Sequence, residues 1–362
     1  MNLVVGEEKV AEGVAAESGA ASPTTRSLVL VAGSGRSGTS LFTGILQRLG
    51  FHVPQPEVVP DETNPRGFAE SQWVVDFHTR LLKRAGVRVS DARPAAWGLV
   101  ADVGVQEEPG RELRAWLKKE LDTADHVIIK DPRLSWFLPL WRRCAEELGV
   151  TPRAAIVLRH PAAVIDSKQR WYGGWHGDVG HTADWLNASL FTERATRDMT
   201  RALVRYDDLL DDWTKAIGRV GESLDLAVIR DAPAPKIVRV HEFVDRSLSR
   251  SRSDWEGVDL PTALREQADR AWGLLCELAA VDGAPPAELA DRLDAARAAY
   301  IALYEEAEAI AHSSIVARAR PETRRKRRGA TLRVAAKVPR RYRDLIPVGW
   351  RRAGLRALSR GR

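Results

Sequence analysis

Residues Ser27 to Gly50 read SLVLVAGSGRSGTSLFTGILQRLG, and their order decides the fold. Leu28 to Val31 form a short, continuous apolar run, the pattern of a parallel strand buried on both faces. The loop GSGRSGTS, Gly33 to Ser40, follows at once. Leu41, Phe42, Ile45, Leu46 and Leu49 then recur with helical period until Gly50, which suits a helix stop. Strand, glycine loop and helix in this order place backbone N–H groups and the positive end of a helix dipole around one anion. The loop fits the template G-x-x-x-x-G-K-[ST] at every fixed position but one. Thr39 stands where a nucleotide-binding lysine would be, and the cation is Arg36.

Outward from this unit the same alternation recurs. HVIIK (126–130) and AAIVLR (154–159) read as strands, each with helical material after it, over Trp136–Leu148 and over Ala162–Lys168 behind Pro161. A helix over 184–200 leads to a strand at 202–206. The fold expected is a P-loop-containing three-layer α/β fold, with a central parallel sheet flanked by helices. Segments 263–280 and 286–312 read as further amphipathic helices. The organisation expected is a disordered segment over 1–26, a catalytic domain over 27–314 and a basic tail over 315–362.

The chain has 362 residues, 44% of them hydrophobic, enough for one large domain with appendages. Its net charge of +6 is unevenly placed. Residues 321–362 hold 15 Lys and Arg against 2 Asp and Glu, so the catalytic body is acidic and the basic character belongs to the tail. Cys144 and Cys276 have no metal-ligand spacing, which argues against a disulfide framework or zinc site. Glu7 and Glu8 interrupt any signal peptide, and no run reaches transmembrane length, so a soluble, cytoplasmic protein is expected. Most of the twelve tryptophans, Trp116 and Trp272 among them, are expected in the core. Trp171 and Trp175, in RWYGGWHGDVGH, would form either a sugar-stacking wall or a lid.

Two motifs carry a resemblance. GRSGTS, followed by RHPAAVIDS at 159–167, resembles the sulfotransferase family that uses 3′-phosphoadenylyl sulfate, over roughly residues 27 to 250. That resemblance implies that Gly35, Arg36, Ser37, Gly38, Thr39 and Ser40 hold the 5′-phosphosulfate end of the cofactor, and that Arg159 with Ser167 holds its 3′-phosphate. LVRYDDLL implies a place for Tyr206 near the adenine. IIKDPRL implies that Lys130 lies near the transferred sulfuryl group, with Pro132 where cytosolic members carry a catalytic histidine. NPRGFAES resembles the segment of carbohydrate-type members in which a glutamate is the base, which points to Glu70, with Glu57 as rival. His52, His78, His176 and His181 read as surface or loop histidines. No metal is required.

The expected activity moves a sulfuryl group to a hydroxyl of a carbohydrate or glycolipid acceptor, with Glu70 as base and Lys130 and Arg36 stabilising charge. Two other classes stay open. In a P-loop kinase or NTPase, Ser40 would hold Mg²⁺ with Asp131 as its acidic partner. In a non-catalytic adaptor, the basic tail would act. That tail interleaves arginines with Tyr342, Trp350 and aliphatic residues, a composition suited either to the anionic inner face of a membrane or to a solvated tail. It has no nucleic-acid-reading module beside it.

Overall fold

A computed structural model describes residues 26–172, 176–245 and 254–336. The expected disordered segment falls outside these residues but for Arg26, as do Trp175, Tyr342 and Trp350. The chain divides into two compact units, Met1–Tyr300 and Ile301–Arg362.

The first unit begins with β1 (Ser27–Ala32), α1 (Thr39–Leu49), α2 (Gln72–Ala85), α3 (Ala96–Gly104) and α4 (Glu107–Thr123). Next come β2 (His126–Lys130), α5 (Leu134–Glu147), β3 (Arg153–Leu158), α6 (Pro161–Tyr172), α7 (Gly177–Ala195) and β4 (Arg201–Arg205). The helical remainder is α8 (Tyr206–Asp211), α9 (Trp213–Ser223), α10 (Ala227–Arg230), α11 (Ala234–Phe243), α12 (Thr262–Ala280) and the start of α13 (Ala287–Ala336), whose residues from Ile301 on belong to the second unit. All four strands are parallel, in the order β2-β1-β3-β4.

The pleat of β1 sorts the core into two layers. Leu28 and Leu30 face one cluster with Val127, Ile129 and the side chains of α2 to α5. Val29 and Val31 face the other, with Ile128, Val157, α1 and α9. Residues 28 to 31 are fully buried, each contributing about 1.5–3 kcal/mol of apolar burial. This is the three-layer arrangement expected from the sequence.

Several boundaries differ from the sequence reading. β3 ends at Leu158, so Arg159 is the first residue beyond the strand, and β4 ends at Arg205, so Tyr206 opens α8 instead of closing a strand. Helix α7 covers Gly177–Ala195, where the sequence reading placed a helix over 184–200. Helix α13 runs through Ser314, where the tail was expected to separate, because Ser313 and Ser314 are no helix stop. Among the described residues, no helix is long and apolar enough to cross a membrane.

Candidate active site

The chain leaves β1 and enters β2 on one side, then crosses over to β3 on the other. The carboxyl ends of β1 and β3 therefore flank a crevice, the place where open parallel sheets bind ligands. The glycine loop follows β1, Lys130 is the last residue of β2, Arg159 follows β3 and Tyr206 follows β4. Four sequence-remote segments thus converge at one end of the sheet.

The loop is held in place by close backbone approaches. A Cβ on Gly33 would lie 2.7 Å from the Val157 carbonyl oxygen of β3. Gly38, at φ 97°, is the N-cap of α1 and has no side chain to cap it, which leaves the amides of the first turn suited to an anion. Arg36 also takes a left-handed backbone, φ 72°. Ser37 is buried, and its Oγ has no hydrogen-bond partner among the described residues, a polar atom suited to a ligand in the loop.

Arg36 and Arg159 meet at the mouth of the loop. Arg159 donates from an Nη to the Arg36 carbonyl at 3.0 Å, and Arg36 donates from Nε to Ser167 Oγ on α6 at 3.0 Å. The Arg159 guanidinium lies 4.4 Å above the centre of the Tyr206 ring. Burial, with the like charge of Arg36, holds Arg159 below the ordinary guanidinium range, against the opposing pull of Tyr206 and Asp207. A bound anion would relieve that penalty. Tyr206 is itself buried, with one ring face under Arg159 and its edge against Gly38, so here it is a platform for Arg159.

A second cluster joins the loop to the segment at Gly67. Lys130 Nζ donates to Ser40 Oγ at 3.0 Å, to the Phe68 carbonyl at 3.2 Å and to Glu70 Oε1. Lys130 and Glu70 are both buried. Ala69, immediately before Glu70, has φ 51°, a left-handed conformation that aims the next side chain at an energetic cost of order 1–3 kcal/mol. Burial pushes the Glu70 carboxyl above the ordinary range, outweighing the pull of Lys130. Glu57 is elsewhere, accepting from Gln47 Nε2 at 2.8 Å and Gln55 Nε2 at 3.0 Å.

Two histidines correct the sequence reading. His78 is completely buried on α2 and donates from Nδ1 to Asp131 Oδ2 at 2.8 Å; His181 is buried on α7. His52 is half-buried against Glu120, and His176 is the N-cap residue of α7. Asp131 also accepts from the side chain of Arg133 at 2.8 Å and from its backbone N–H at 3.0 Å. Arg133 and Asp131 went unassigned as site partners in the sulfotransferase reading, although both stand in the quoted IIKDPRL. Trp116 is partly buried and stacked on Trp73, Trp272 packs edge-on to His160, and Trp171 is exposed. Among the described residues, no group of acids, histidines and cysteines could hold a metal ion.

The chain matches no family model, and no curated protein matches it. Among solved structures it is similar to the sulfotransferase domain from the Synechococcus PCC 7002 olefin synthase. The likeness has 19% sequence identity and a TM-score of 0.41, over 71% of this chain and 95% of that one.

Proposed function

We propose that this chain is a sulfotransferase that moves a sulfuryl group from 3′-phosphoadenylyl sulfate to a hydroxyl of a carbohydrate or glycolipid acceptor. The observation that carries the reading is the three-way contact of Lys130 with Ser40 and Glu70, set beside the Arg36, Arg159 and Ser167 cluster. It gives one base, one cation bonded to both base and loop, and a separate anion site. The donor fits these residues: an N-cap glycine with no side chain of its own, the buried Ser37 hydroxyl and Arg36 suit its 5′ end, and Arg159 with Ser167 suits its 3′-phosphate.

The acceptor oxygen attacks sulfur while the bond from sulfur to the 5′-phosphate oxygen breaks, and that oxygen keeps the electron pair. Glu70 takes the acceptor proton, and its raised pKa makes it a stronger base than a solvated glutamate. As Glu70 becomes neutral, the ammonium of Lys130 loses its counter-charge and turns its field to the loop side, where negative charge collects on the departing phosphate. Arg36 adds a second positive charge at the loop. The kinase reading is disfavoured because Ser40 already accepts from Lys130, and Asp131 from three donors.

Calorimetry tests the reading. Adenosine 3′,5′-bisphosphate should bind and ATP with Mg²⁺ should not. Arg159→Ala should weaken the bisphosphate about tenfold to hundredfold while leaving adenosine 5′-phosphate unchanged, because only the former reaches that arginine. Tight ATP binding, or no binding of either ligand, defeats the proposal. Residues 315–362 would hold the protein at an anionic membrane. Co-sedimentation with phosphatidylserine vesicles should then be lost in a chain ending at Ser314, and equal partitioning refutes that role.

A further inference from the structure

Arg133 occupies the N-cap position of α5, three residues beyond Lys130. A guanidinium has five N–H donors in a fixed fork. Among the described residues, Arg133 directs its side chain to Asp131 Oδ1 alone, and its side chain keeps 23% of its surface open. The rest of the fork is therefore uncommitted, in a place where the charge of Arg133 acts on Glu70.

What lies behind Arg133 is unusual for a structural arginine. Trp141 donates its indole N–H to His78 Nε2 at 2.8 Å. An indole nitrogen only donates, so Nε2 must be an acceptor, and His78 is the neutral tautomer with its proton on Nδ1. Nδ1–H donates to Asp131 Oδ2, and Asp131 Oδ1 accepts from Arg133. Burial lowers the pKa of His78, which agrees with a neutral ring. The rings of Trp141 and His78 are fully buried, as is the Asp131 carboxylate, and His78 is also fixed by stacking on Phe137 at 4.9 Å. Burying a carboxylate costs several kcal/mol relative to water, so such a chain adds little stability by itself. It does fix one direction for Arg133.

We propose that Arg133 binds the oxygens of the transferring sulfuryl group, and that Asp131, His78 and Trp141 are positioning residues that aim it. The inference rests on the sulfotransferase reading and adds a residue to it. A planar fork with two parallel N–H groups matches two oxygens of a sulfuryl group, as it would a carboxylate or phosphate. The 3′,5′-bisphosphate lacks that group, which makes the pair of ligands a direct test.

Without acceptor, Arg133→Gln should raise the Kd of 3′-phosphoadenylyl sulfate about tenfold to hundredfold and leave that of the bisphosphate within about twofold. His78→Phe keeps the stack on Phe137 but removes the donor to Asp131. It should show the same ligand-selective loss, smaller in size, and should add nothing in the Arg133→Gln background. Equal losses for both ligands, no loss for either, or additive effects of the two substitutions overturn the proposal. A wild-type chain that binds neither nucleotide defeats the sulfotransferase reading itself, whereas normal wild-type binding with an unselective Arg133→Gln defeats only the role of Arg133.

Discussion

Gly38→Ala tests whether the loop and the Arg159 platform form one unit. At φ 97° the new side chain would sit in a left-handed conformation, costing about 1–2 kcal/mol. Its Cβ would also lie 2.1 Å from Cδ2 and 2.8 Å from Cε2 of Tyr206, far inside ordinary contact, so the ring or the loop must move by roughly 1 Å. Tyr206 cannot retreat freely, because it is buried and carries Arg159 on its face. Overpacking of this kind typically adds about 1–3 kcal/mol, for a total near 2–5 kcal/mol. In a domain of this size that lowers Tm by roughly 2–4 °C per kcal/mol. The assay pairs thermal unfolding with bisphosphate titration. Binding should fall more than stability explains, because displacing Tyr206 misplaces Arg159 and with it the carbonyl of Arg36. In a Tyr206→Ala background the same substitution should cost only the backbone strain. Wild-type affinity in Gly38→Ala, or an equal cost in both backgrounds, would refute the coupling.

Further substitutions probe the buried charges. Glu70→Gln should abolish transfer while bisphosphate binding persists, since Lys130 still has Ser40 and the Phe68 carbonyl as acceptors. In the wild-type chain Glu70 must be ionised to accept a proton and its pKa is raised, so kcat should fall as pH drops, with an apparent pKa above the ordinary value of 4.5. Lys130→Ala removes the opposing pull and should move any residual activity's acid limb higher still; a limb at or below 4.5 would refute Glu70 as base. Lys168 and Asp184 form a second buried ion pair, between α6 and α7. Lys168→Met strands the carboxylate and should cost about 3–5 kcal/mol in urea unfolding, most of it recovered by adding Asp184→Leu. A loss under about 1 kcal/mol would show the pair to be dispensable.

The sheet was legible because its strands are buried on both faces, and such strands read as uninterrupted apolar runs. Every expected strand lies within one or two residues of its place, and the residues that end them converge as one site. What stayed hidden depends on partners far along the chain. His78 sits among Val74, Phe77, Leu81 and Leu82, so helical spacing alone would have placed it on the buried stripe. Its reason for being there, Asp131, is 53 residues away. The resemblance of LVRYDDLL implies only a place for Tyr206 near the adenine. Its packing against Gly38 and Arg159 emerges only when the carboxyl ends of β1, β3 and β4 are brought side by side.

The same convergence accounts for the departure at Pro132. A histidine two residues beyond Lys130 would bring its own base to the site. Here Pro132 packs against Gly35, with its Cβ 4.0 Å from where a Gly35 side chain would begin, and it offers no proton acceptor. On the sulfotransferase reading the base must then come from another segment, and the segment at Gly67 supplies one. Gly67, at φ 89°, and Ala69, at φ 51°, turn the chain so that the Phe68 carbonyl and the Glu70 carboxylate both reach Lys130. Lys130 is thereby bonded to the base and to the loop that would hold the leaving phosphate. Proton uptake by Glu70 and charge release at the phosphate would act on the same ammonium, which a base attached beside Lys130 on one strand would not ensure.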